Sequence, residues 1–199
     1  MFSKGHRPSH YGKVTTTEPI KTLDAIADIK KYLRYKPRDL AMFTVAVNTA
    51  FRASDITSLV FENLKALQDG TIEITKRERK TKKLRVVILN KSSSTILKDY
   101  ISMCRNTRPN DLVFPGIRGQ MGTSYFGRLV KTWLKEGALL DGRFATHSLR
   151  KTFVYTQYKT FGVELPVLMN ILNHSSQLQT LKYMGSMTEE MLNAYQNEI

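Results

Sequence analysis

Four short blocks of this sequence carry side chains suited to handling a phosphate. In His147-Ser-Leu-Arg150 the imidazole and the guanidinium stand three apart. At a helix start they share a face, where both can donate to one oxyanion and the helix dipole adds positive potential. Leu172-Asn-His174 is followed nine residues on by Tyr183, which sets a second imidazole and a phenol across a tight helix-turn-helix. Lys76-Arg-Glu-Arg-Lys-Thr-Lys-Lys-Leu-Arg85 holds seven basic residues and one acidic one, a density that suits phosphate contact. Arg52 falls at an expected corner between two helices. A lone HxxR pair, hairpin lysine or tyrosine is usually incidental, and only their combination points to phosphate chemistry.

The elements that must carry these groups follow from hydrophobic periodicity. Ile26, Ile29 and Leu33 recur at helical spacing, and Pro37-Arg38-Asp39 opens an apolar run from Leu40 to Phe51, long enough for a buried helix. Ser54 offers an N-cap hydroxyl for a short helix over Asp55 to Leu59. Thr71 to Thr75 alternates and Leu84 to Leu89 is rich in β-branched residues, so the basic segment is expected to join two antiparallel strands of one small sheet. Beyond Ser92 the signals are mainly helical: Ser94 to Cys104, Thr123 to Glu136, His147 to Phe161, Pro166 to Leu172, Gln177 to Met184 and Thr188 to Gln196, punctuated by Gly162, Pro166 and Gly185. The expected class is therefore α+β, mainly helical, with a minor antiparallel sheet.

Composition narrows the partners. The 199 residues fit one ordinary domain with arms, and 31 Lys+Arg against 17 Asp+Glu leave a net charge of +14. Such an excess points to a polyanion such as nucleic acid, with a membrane surface as the rival. No apolar run approaches the roughly 20 residues of a membrane span, and Cys104 is the single cysteine. Intrachain disulfides and cysteine-based zinc sites are thereby excluded, and a reducing cytoplasm is the expected location. There is no GxxxxGK[ST] phosphate loop, no HExxH and no acidic cluster for a two-metal nuclease. Residues 1–20 read as a basic arm that either lies along DNA or is merely solvated.

Asn48-Thr-Ala-Phe-Arg-Ala-Ser-Asp-Ile-Thr-Ser-Leu59, Lys80-Thr with Arg85 five residues later, His147-Ser-Leu-Arg150, and Leu172-Asn-His174 with Thr180 and Tyr183 together resemble the catalytic domain of the tyrosine site-specific recombinases, the phage integrase family. The resemblance runs over about residues 20–185, with the blocks in the family's order. It implies a catalytic domain over residues 21–185, Tyr183 as nucleophile, Arg52 and Arg150 as phosphate clamp, His147 and His174 as supporting imidazoles, and Lys80 as the hairpin acid. Lys76, Arg77, Arg79, Lys82, Lys83, Arg85 and Lys151 are expected on DNA. The sequence departs from the family in Asn173, where glycine is usual, and in Asp55, where glutamate is commoner. The implied activity is cleavage and rejoining of DNA strands through a 3′-phosphotyrosine link, with no metal or nucleotide cofactor. The implied partner is double-stranded DNA carrying specific recombination sites, with accessory DNA-bending proteins as possible helpers. The acidic segment 186–199, with Met187, Met191, Leu192 and Tyr195 at helical spacing, is expected to dock on a neighbouring subunit of a tetramer formed on paired sites. A topoisomerase-like relaxing enzyme and a catalytically silent DNA-binding protein of the same fold stand as alternatives. Length leaves open a minimal recombinase or a catalytic fragment.

Overall fold

The computed structural model describes residues 17–77 and 82–185. Helix α2 (Pro37–Thr49) is its central element. Proline at the first turn loses no intrahelical hydrogen bond, and Ala41 to Val47 are buried all round. Helix α1 (Leu23–Tyr32), capped by the Thr22 hydroxyl accepting from Ala25 N–H at 3.2 Å, packs on α5 (Thr123–Ala138). Gly137 permits that approach, since a Cβ there would lie 3.1 Å from Ile29 Cα. Trp133 of α5 meets Phe43 of α2 edge-on at 6.1 Å and Phe126 at 6.0 Å. Helix α4 (Lys91–Ser102), capped by Asn90, covers another side of α2.

The short helix α3 (Ala53–Thr57) begins at Arg52, which takes the N-cap position without a side-chain cap. Ser54 lies inside this helix and does not cap it, a correction to the sequence expectation. The basic segment does link antiparallel strands, β2 (Ile72–Arg77) and β3 (Leu84–Ile88), in register Lys76 to Arg85 and Glu73 to Ile88. A third strand, β1 (Leu64–Ala66), joins β2 on its other edge, and a two-residue ribbon pairs β4 (Pro115–Gly116) with β5 (Gly119–Gln120). The expected single sheet is thus two sheets among the described residues.

Helices α6 (Thr146–Lys159), α7 (Leu165–Leu172) and α8 (Gln177–Met184) complete the described chain. They enclose a second apolar cluster of Ala50, Val154, Leu168, Leu172 and Met184, against which Tyr183 is packed. The expected helix over Thr188 to Gln196, most of the N-terminal arm, and hairpin residues 78–81 with Arg79 and Lys80 lie outside the described residues. No described helix is long and apolar enough to cross a membrane.

Trp133 is fully buried between α2 and α5, so Trp133→Ala should reduce the unfolding free energy by about 3–5 kcal/mol, read from urea denaturation of the full chain.

Candidate active site

Four corners of the fold converge on one cleft of about 260 Å³ lined by Arg52, His147, Arg150, His174, Gln179 and Tyr183, with Leu172 and Asn173. Each corner has a local cause. Helix α2 ends on Ala50 in the left-handed region (φ 50°), which turns the chain so that extended Arg52 opens α3. His147 and Arg150 stand one turn apart at the start of α6, as a 3.6-residue period requires. Helix α7 ends on Asn173, again left-handed (φ 57°, ψ 49°), and His174 N–H closes back on the Met169 carbonyl at 2.9 Å. Ser176 then caps α8, whose face carries Thr180 and Tyr183.

The Asn173 departure has a direct explanation in this geometry. A left-handed helix end favours glycine, and asparagine is the side chain that best tolerates the same conformation. Its Oδ1 also accepts from Lys83 Nζ at 2.6 Å, which brings the β2–β3 hairpin against the α7–α8 corner beside the cleft.

Arg150 is buried, and its Nη2 donates to the Leu172 carbonyl at 3.3 Å. His174 Nδ1 lies 3.1 Å from Thr180 Oγ1. The His174 and Tyr183 rings meet edge-on at 5.3 Å, while Lys151 Nζ stands 5.2 Å from the centre of the Tyr183 ring. The Tyr183 hydroxyl is buried with no hydrogen bond of ordinary geometry. Arg150 is near enough to favour its ionised form, a looser contact than a formed bond.

The electrostatics follow from burial and from the two guanidiniums. Burial pushes the Tyr183 phenol above its ordinary value, and Arg150 and Arg52 pull against that shift. Both imidazoles move the other way. For His174, burial and then Arg150 and Arg52 depress the pKa. His147 is lowered by desolvation and then by Arg150, Lys151 and Arg52. Its ring keeps an open side toward solvent, so its desolvation is partial and the cations matter correspondingly more. Both histidines are therefore neutral at pH 7, where one can accept a proton.

The structure brings together Arg52, Arg150, His147, His174 and Tyr183. Arg77, Lys82 and Lys83 are exposed on or beside the hairpin. Three other cations expected on DNA are turned inward. Lys76 Nζ donates to the Ser58 carbonyl at 2.5 Å, Lys151 Nζ to the Thr17 carbonyl at 2.6 Å, and Arg85 to the Thr49 and Ala50 carbonyls. Lys151 is only 5% exposed, too enclosed to reach a duplex from this position. Gln179 was not singled out in the sequence, and nothing in its spacing marks it. Among the described residues no group of three or more His, Cys, Asp or Glu could hold a metal ion.

Comparison with known proteins agrees with this architecture. The chain is 32% identical over 171 residues to the probable integrase/recombinase YoeC of Bacillus subtilis (strain 168), covering 84% of this chain and 89% of that protein. It is 28% identical over 159 residues to the tyrosine recombinase XerD of Vibrio cholerae serotype O1 (strain ATCC 39315 / El Tor Inaba N16961), covering 77% of this chain and 51% of XerD. It therefore spans most of YoeC but about half of XerD. Among solved structures, the XerA recombinase superposes with a TM-score of 0.70 at 22% identity, over 99% of this chain and 68% of that one. The XerH site-specific recombinase bound to a palindromic difH substrate gives 0.68 at 17% identity, over 95% and 55%. These two show the fold, and residues 16–190 match the family as a whole: the chain belongs to the phage integrase family, the tyrosine recombinases.

Proposed function

We propose that this chain is a site-specific DNA recombinase that cuts and rejoins strands through Tyr183. The observation that carries the reading is the buried Tyr183 hydroxyl in a cleft shared with two guanidiniums and two neutral imidazoles. An unsatisfied buried hydroxyl costs about 1–3 kcal/mol, and a phosphate entering the cleft that Tyr183 shares with Arg52 and Arg150 would relieve that cost while meeting both positive charges. Solved relatives of the same fold hold DNA: XerH with its difH substrate, and a lambda integrase dimer on a COC′ core site.

The step balances without an external reagent. Tyr183 Oη attacks the scissile phosphorus, the new O–P bond forms as the bond to the 5′ oxygen breaks, and the phosphodiester energy is kept in a 3′-phosphotyrosine link. The phenolic proton passes to His147, while His174 donates to a nonbridging oxygen. Arg52 and Arg150 stabilise the charge that develops on the nonbridging oxygens. The leaving alkoxide needs a proton from a cation on the hairpin, the role assigned to Lys80. Rejoining is the same path reversed, with the 5′ hydroxyl of the exchanged strand as nucleophile. Arg77, Arg79, Lys82 and Lys83 supply backbone contacts, so affinity should fall steeply with salt. The working assembly is a tetramer on paired sites joined through residues 186–199, with DNA-bending proteins as accessory partners and the nucleoid as location.

Three outcomes test this reading on a nicked duplex drawn from the DNA flanking the protein's own coding sequence. Tyr183→Phe should bind the duplex, form no covalent adduct after denaturation, and melt no lower than the parent, since it removes an unsatisfied hydroxyl. Arg52→Ala and Arg150→Ala should each slow adduct formation ~10² to 10³-fold. Lys80→Ala should be restored by a 5′-bridging phosphorothiolate, whose leaving group needs no proton. Rescue of Lys82→Ala instead would move the acid two residues along the hairpin.

The depressed imidazoles set the pH dependence. His147 must be neutral to take the phenolic proton, and its pKa lies below the ordinary 6.5. The adduct rate should hold steady through neutrality and fall only as pH drops below that value. A single-turnover profile over about pH 5 to 8 reads the break, and a break above 7 would contradict the assignment.

A further inference from the structure

We infer that Arg85 is a positioning residue for Arg52, acting through the backbone that precedes it. This inference rests on the reading of Arg52 as a phosphate clamp. Arg85 sits on β3, and its guanidinium reaches across to the end of α2. Nη2 donates to the Thr49 carbonyl at 2.7 Å, and Nη1 donates to the Ala50 carbonyl at 3.2 Å. The same guanidinium stands 5.1 Å from the centre of the Phe51 ring. Three consecutive residues ahead of Arg52 are thus held by one side chain.

That stretch needs holding. The last carbonyls of a helix have no intrahelical partner, and a cation there is favoured by the helix dipole. Helix α2 has no basic residue in its own last turn, so Arg85 supplies that charge from the sheet. The corner is fixed from other sides as well. Phe51 N–H donates to Thr49 Oγ1 at 3.3 Å, Thr49 Oγ1 donates to the Val45 carbonyl at 2.8 Å, and Asp55 N–H donates to the Arg52 carbonyl at 2.9 Å. Phe51 is buried, which pins its ring under the guanidinium. Only the planar fork of arginine can bridge two adjacent carbonyls while lying against an aromatic ring. The direction in which Arg52 leaves the corner follows from these bonds, and a small misplacement of a phosphate-binding group costs orders of magnitude in rate.

The sequence placed Arg85 with the DNA-contacting cations. A contact with DNA and a positioning role make different demands on the same variant, and a double-mutant cycle separates them. Adduct formation on the nicked duplex is measured at saturating full-length protein for Arg85→Ala, Arg85→Lys, Arg52→Ala and Arg52→Ala/Arg85→Ala, beside duplex affinity and thermal unfolding. Arg85→Ala should react roughly 10 to 100-fold more slowly with affinity within about twofold. Arg85→Lys, able to hold one carbonyl, should recover part of that rate, and the double variant should be no slower than Arg52→Ala alone. Multiplied losses in the double variant would show that Arg85 acts independently of Arg52. Weakened affinity with an unchanged saturated rate would make it a backbone contact, and rate losses that track only the unfolded fraction in both Arg85 variants would make it purely structural. Each of these three overturns the inference. A parental rate for Arg52→Ala would instead overturn the phosphate-clamp reading on which it rests.

Discussion

Crowding guanidiniums and imidazoles around one small cleft is the constraint from which the rest of this structure follows. Arg52 and Arg150 lie close enough to depress both imidazoles, and Lys151 acts on His147 as well, in a chain already at +14. Such a cluster is held apart from collapse or from neutralisation by what anchors it. Arg150 donates to the Leu172 carbonyl, Arg85 to the Thr49 and Ala50 carbonyls, Lys151 to the Thr17 carbonyl, and Lys76 to the Ser58 carbonyl and the Asn63 side-chain oxygen. A carbonyl dipole orients a cation and satisfies its N–H groups but leaves its net charge in place.

The same potential explains the state of the other groups. Desolvation and neighbouring guanidiniums both disfavour a protonated imidazole, so each neutral ring keeps one nitrogen able to accept a proton and one N–H able to donate. For the phenol the two effects oppose each other: burial protects the neutral hydroxyl, and the arginines reward its ionisation. A phenol held in this way stays neutral in the free protein, the state that the proposed nucleophilic role requires before a phosphate arrives.

Much of this was legible in the sequence because helical periodicity is local. The spacing of His147 and Arg150 fixes their shared face, and the apolar run before Phe51 fixes the end of α2. What was not legible is direction. Lys76 and Arg85 were counted with the outward cations by charge alone, yet Ile72, Ile74 and Lys76 share one face of β2 by the two-residue period, and two of the three are core. Register with Lys76 then carries Arg85 to that same face. Strands of two or three residues, such as β1, β4 and β5, are too short to show any alternation. The Ser54 assignment failed because the chain reverses earlier, at Ala50, and Arg52 already occupies the cap.

Ala50 has a further consequence. A left-handed alanine carries a dihedral penalty that glycine would escape, yet this one is fully buried with its methyl in the second apolar cluster. Glycine would relax the strain, and it would also widen the range of bends open to the unfolded and partly unfolded chain at that joint. The methyl group therefore trades a small local penalty for a stiffer elbow, and drift toward a more comfortable residue at position 50 would blunt the aim of the arginine two positions downstream.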